Sequence, residues 1–152
     1  MADMSYLAGF FDGEGCITTF RNHVKRHPGE FSYCLKMNVS NTNLEVLKIF
    51  EAAFGGGIFT KKPKEGFKQA YVWQINGVAA KEVLKQLLPH LVVKKAEAEL
   101  ALQFPIREKA MGNNSLSKEI RNLQASICEQ LWAIKGFAQR NAVWRRQKLG
   151  EI

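Results

Sequence analysis

The chain has 152 residues, 46% of them hydrophobic, and a formal net charge of +8 from 22 Lys and Arg against 14 Asp and Glu. That length fits one domain with a proper core, which sets general disorder aside. No apolar run approaches the roughly 18 residues a membrane span needs, and a basic-then-apolar secretory leader is not expected at the N-terminus.

The three cysteines, Cys16, Cys34 and Cys128, are odd in number and far apart, with no CxxC pair. Neither a disulfide framework nor a zinc site is indicated, and an intracellular, reducing compartment is the plain expectation. The charge is unevenly spread. Across 16–40 and 56–76 stand Arg21, Lys25, Arg26, Lys36, Lys61, Lys62, Lys64 and Lys68 against only Glu30 and Glu65. Basic charge gathered in this way is the footprint of a nucleic-acid surface.

In chain order, the first element is a short helix containing Leu7-Ala8-Gly9-Phe10-Phe11-Asp12-Gly13-Glu14-Gly15. Tyr6, Leu7, Phe10 and Phe11 are expected to face a core. Ser5, Gly9 and Gly13 recur every four residues and leave one face almost bare, so another backbone can approach closely. Glu14 falls at the helix C-terminal end, where the dipole disfavours a carboxylate; it needs a compensating cation, and a divalent metal is one candidate.

The period then changes to about two. Cys16 to Val24 reads as a strand, His27-Pro28-Gly29 as a turn, and Phe31 to Ser40 as a second strand. In the second strand Tyr33, Leu35, Met37 and Val39 alternate with Ser32, Cys34, Lys36 and Asn38. In the first, Phe20 and Arg21 compete for the inward positions, which either a bulge or an outward aromatic explains.

Asn41 or Thr42 can cap the next helix, with Leu44, Leu47, Ile49, Phe50 and Phe54 on its apolar side and Gly55-Gly56-Gly57 as its stop. A second hairpin follows: Ile58 to Lys62, a turn over Pro63–Gly66, then Phe67 to Asn76. Asn76 caps a helix through Val78, Val83, Leu84, Leu87 and Leu88. A further helix runs from Val93 towards Lys109, kinked or broken at Pro105. The last helix places Leu116, Ile120, Leu123, Ile127, Leu131 and Ile134 on one stripe. The basic tail from Arg140, with Trp144, Arg145, Arg146 and Lys148, is either frayed or laid along phosphates.

Two helix–hairpin units in succession predict an α+β domain: a four-stranded antiparallel sheet with helices on one face and a polar, basic face left open. A two-stranded ribbon fits the major groove of duplex DNA. On the open face Thr18, Asn22, Ser32, Lys36, Asn38, Thr60, Lys62, Lys68 and Gln74 are base-side candidates; Lys25, Arg26, Lys61 and Lys64, near the turns, are phosphate candidates. No small-molecule substrate is indicated.

The run Leu7–Gly15 resembles the LAGLIDADG signature of homing endonucleases, with Phe10 and Phe11 for the usual aliphatics, Gly13 for alanine and Glu14 for the second aspartate. The resemblance extends over roughly Ser5 to Leu102 and implies the αββαββα core. A single signature copy implies a homodimer in which two such helices pack through Ser5, Gly9, Asp12 and Gly13. It implies hydrolysis of both DNA strands across the minor groove of a long, near-palindromic site. It further implies Mg²⁺ held by Glu14 and the Gly13 carbonyl, with Mn²⁺ or Ca²⁺ able to take its place. In the family the first acidic residue, here Asp12, is mainly structural. By the same resemblance Lys94 (or Lys95, if the register shifts by one) delivers a basic group, and Asn41 positions water, a role that competes with helix capping. The family's further basic residue has no match, since that region reads Asn43-Leu44-Glu45. A non-catalytic nucleic-acid binder of the same fold, such as an RNA-splicing maturase or a transcription regulator, is the alternative.

Overall fold

The computed structural model describes residues 2–23, 28–29, 31–106 and 117–136. Helix α1 (Met4–Glu14) runs into strand β1 (Gly15–His23), followed by β2 (Phe31–Asn41), α2 (Leu44–Phe54), β3 (Gly57–Thr60), β4 (Tyr71–Asn76) and α3 (Gly77–Leu87). A 3₁₀ turn over Leu88–His90 leads to α4 (Lys95–Leu102), and α5 (Lys118–Ile134) closes the described chain. The sheet order is β1-β2-β4-β3, antiparallel throughout, as the alternation predicts.

Residues of even number in β1, β2 and β4 point to one face and those of odd number to the other. Ile17, Leu35, Met37, Val39, Trp73 and Ile75 therefore meet the helices and are buried. Trp73 anchors this layer: its ring lies 5.1 Å from Phe50, and its Nε1 donates to the Gly55 carbonyl at 2.8 Å. The β1–β2 register runs unbroken from Gly15↔Val39 to His23↔Phe31, so there is no bulge. Phe20 consequently points outward, with the Lys36 ammonium 5.9 Å from its ring centre, while Arg21 turns inward and stacks 4.1 Å above Phe31.

Several boundaries differ from expectation. The cap of α2 is Asn43, whose Oδ1 accepts from Glu45 N (3.0 Å) and Val46 N (3.4 Å); Asn41 Oδ1 instead accepts from Asn43 N (2.8 Å) and shapes the turn before it. Strand β4 starts at Tyr71 rather than Phe67, because Gln69 Nε2 bonds the carbonyls of Lys61 and Ala70 and fixes 61–70 as a loop. Helix α4 stops at Leu102, before Phe104 enters the core and Pro105 follows. Tyr6, Ile49 and Val78, expected inward, are exposed.

The stripe of α5 is turned by about one residue: Gln124, Ile127, Cys128 and Leu131 are buried, while Leu123 and Ile134 lie on the surface. Gln124 belongs inside because its amide accepts from Tyr33 N (3.2 Å) and donates to the Pro105 carbonyl (2.8 Å). At the end of α5, Lys135 reaches the free edge of β1, donating to the Ile17 carbonyl with Cys16 Sγ 3.4 Å away. Leu116, Lys25, Arg26 and the tail from Arg140 fall outside the described residues.

Candidate active site

Helix α1 delivers its C-terminal end to the start of the sheet. The Gly15 N–H closes the last turn on the Phe11 carbonyl, and the chain then extends. Only glycine fits there, since a Cβ at position 15 would stand 2.2 Å from the Phe11 ring and 2.6 Å from its carbonyl oxygen. Gly13 and Glu14, immediately before this bend, are exposed.

Asp12 ties this end of the helix to a segment 80 residues away. Its Oδ2 accepts from Val92 N at 2.7 Å and its Oδ1 from Lys94 N at 3.0 Å. Lys94 answers by donating its ammonium to the Asp12 carbonyl at 2.7 Å. This cation lies at the negative end of the helix dipole, which part of the expected compensation at Glu14 therefore comes from. Partial burial pushes the Asp12 carboxyl up, but the amides of Val92, Lys94 and Val93 and the Lys94 charge together hold it below its ordinary 3.8. Asp12 is thus tied within its own chain, where it holds the turn over residues 92–94 that leads into α4. Lys94, half-buried, is the residue of the basic pair that returns to α1; Lys95 begins α4 and is exposed.

Asn41 stands two residues beyond Val39, which pairs with Gly15, so the end of β2 runs alongside the end of α1. Its side-chain oxygen is engaged in the turn to α2. Glu45, in the region where the resemblance finds no match for a further basic residue, is exposed and pairs with Lys48 at 3.2 Å.

The residues at the helix end suit a divalent cation that keeps several waters. Glu14 is exposed and has no ion pair among the described residues, where pairs form only at Lys48–Glu45 and Lys85–Glu82. No group of three or more His, Cys, Asp or Glu gathers among the described residues. One carboxylate and a neighbouring carbonyl are a sparse set, which a hard divalent cation would complete with waters rather than with a closed protein cage.

The bare face of α1 is open. Ser5, Gly9 and Gly13 are exposed, and a Cβ added at either glycine would meet nothing within 4 Å. Ser5 Oγ lies 3.4 Å from His90 Nδ1.

Across the outer face of the sheet, the register aligns Cys16, Asn38, Gln74 and Gly57 in one row and Thr18, Lys36 and Asn76 in the next. Asn22 pairs with Ser32 further out along the β1–β2 ribbon. Thr60 is misplaced by sequence reasoning: it pairs with Tyr71 and so faces the helix side, because a four-residue strand gives too little alternation to fix its phase. Lys62 and Lys68, expected on strands, lie with Lys61 and Lys64 in the loop between β3 and β4. Phe20, weighed above as an outward aromatic, does lie on the outer face, as does Val72 beside Gln74; Phe59, paired with Val72 there, was missed. The signal was present in the pairing parity, but an apolar residue on a polar face runs against the alternation rule.

The sequence profile of the LAGLIDADG endonuclease family matches residues 7–104. The chain belongs to this family. Over 104 residues it is 30% identical to the DNA endonuclease I-CvuI of Chlorella vulgaris, an alignment covering 66% of this chain and 62% of that protein. The chain thus spans a little under two thirds of this relative's length. Its fold is that of solved homing endonucleases. A crystal structure of I-CvuI with a DNA target and 2 mM Mg, the DNA not cleaved, superposes with TM-score 0.68 at 22% identity over 86% of this chain and 80% of that one. An archaeal intron-encoded homing endonuclease, I-Vdi141I, complexed with DNA, gives 0.67 at 18% identity over 86% and 82%.

Proposed function

We propose that this chain is a homodimeric, sequence-specific endonuclease acting on both strands of duplex DNA with a divalent cation, Mg²⁺ by preference. The observation that carries the reading is Glu14: an exposed carboxylate with no ion pair among the described residues, at the end of a helix whose bare face is open. Two copies packed through Ser5, Gly9, Asp12 and Gly13 bring two Glu14 groups together beneath a long, near-palindromic site. Mn²⁺ and Ca²⁺ suit the same oxygens. The three free cysteines agree with a reducing, intracellular setting.

The bound cation supplies Lewis acidity and an activated water for phosphodiester hydrolysis. Glu14 and the Gly13 carbonyl hold it. Lys94, fixed through Asp12, offers a positive charge to the phosphoryl oxygens or to the water network, and Asn41 offers its amide from the end of β2. Thr18, Asn22, Ser32, Lys36, Asn38 and Gln74 read base edges, while Lys61, Lys62, Lys64 and Lys68, with Lys25 and Arg26, neutralise phosphates.

The test is incubation with a plasmid library of candidate sites, with Mg²⁺ and with EDTA, followed by sequencing of the ends. Metal-dependent double-strand cuts at one site are expected, reduced more than about a hundredfold in Glu14→Gln while duplex binding survives. Tight binding without cleavage under every divalent metal overturns the nuclease reading in favour of a maturase or regulator.

A further inference from the structure

We propose that the outer face of the β3–β4 ribbon reads the C5-methyl group of thymine in the major groove, with Phe59 and Val72 as the reading surface. The inference rests on the DNA-binding reading above and adds to it a determinant of specificity. Phe59 and Val72 sit directly opposite one another and on the same face as Gln74 and Lys36. Phe59 is 56% exposed, and Phe67, in the loop beyond, 75% exposed. Phe59 and Val72 thus form an apolar pair within an otherwise polar face, and Phe67 adds a second exposed ring in the adjoining loop.

The charge around them selects the occupant. Just past this pair, Lys61, Lys62, Lys64, Lys68, Phe67 and Ala70 line a cavity of about 550 Å³. An apolar protein partner or a second copy of this face would have to bury four ammonium groups against apolar surface, whereas a phosphate backbone neutralises them. Lys61 N donates to the Ala70 carbonyl at 2.9 Å and Phe67 N to the Lys64 carbonyl at 3.1 Å, so the loop is held in a defined shape. Along the ribbon the order is an amide at Gln74, an apolar pair, then cations. In the major groove the apolar group that a base pair displays among its donors and acceptors is the thymine methyl. A Phe–Val pair cannot satisfy the hydrogen-bonding positions of another base edge, and it gains from covering that methyl.

The experiment uses the full chain and the duplex it prefers, selected from a randomised library in Ca²⁺. Each thymine of a half-site is replaced in turn by deoxyuridine, which removes the methyl and keeps every hydrogen-bonding group. At one or two positions uracil should weaken binding about fourfold, the effect of one buried methyl. Phe59→Ala should bring thymine and uracil to equal affinity there, and Phe59→Leu should retain the preference. Phe59 is exposed, so thermal unfolding of both variants should match the parent. Uracil tolerated at every position, or a penalty unchanged in Phe59→Ala, overturns this inference and leaves the nuclease reading standing. Selection of no duplex at all overturns both.

Discussion

Asp12→Asn removes one charge and one acceptor from the clasp between the end of α1 and residues 92–94. The carboxylate now accepts two backbone bonds, at 2.7 and 3.0 Å. An amide can keep one of them and must turn its NH₂ towards the other N–H. One charge-assisted bond is therefore lost, worth roughly 1.5–3 kcal/mol when fully shielded. Val92 is 81% exposed, so water takes up part of the loss and the lower end applies, about 1–1.5 kcal/mol. For a domain of this size that is a fall in Tm of roughly 2–6 °C.

The carboxyl is held below 3.8 in the folded chain, so its contribution is complete above that value and disappears as pH falls through the lower folded value. The Tm difference between parent and variant should thus be flat from about pH 5 to 8 and shrink on acidification below 3.8. Cleavage should fall by more than stability does, by about tenfold to a hundredfold, because Lys94 loses its fixed position while duplex binding is untouched. Differential scanning fluorimetry against pH, paired with single-turnover cleavage, measures both. An unchanged Tm at neutral pH, or an equal deficit persisting at pH 3, refutes the clasp.

Two further substitutions test other links. Gly9→Leu adds a side chain where the single chain has open space and replaces a poor helix former, so folding should be unharmed or slightly improved; sedimentation should show monomers and double-strand cleavage should vanish, and a dimer that persists contradicts packing through the bare face. Gln124→Leu leaves the Tyr33 N–H and the Pro105 carbonyl without partners in the interior, at a cost of about 2–4 kcal/mol read by chemical denaturation, and a neutral result would show that water replaces the amide.

The sheet was legible because β2 and β4 carry large side chains in strict alternation, with Leu35, Met37, Val39, Trp73 and Ile75 inward. The helix–hairpin order followed from the changes of period. Legibility failed where a polar group does core work or a contact spans the sequence. Gln124 reads as surface by its chemistry, yet its two backbone partners lie on different elements and draw it inside. Asp12 and Lys94 are 82 residues apart, so no local pattern announces their clasp; only the family resemblance brought Lys94 forward. At the helix end, Glu14 was visible from its place between two glycines, and the resemblance gave Asp12 a structural role, but not the 92–94 segment it holds. Short β3 misled the reading of Thr60 for the opposite reason, having too few residues to express a period.

The ammonium of Lys135 laid across β1 has a consequence for the behaviour of the whole molecule. Strand β1, nine residues long, is one of the two border strands of the sheet. An uncapped border of that length invites a strand from another molecule to add on. With the Ile17 carbonyl already taken and a positive charge parked beside it, this border is a poor template for a further strand. The helix-to-helix pairing proposed above then competes with one less route of edge-to-edge association.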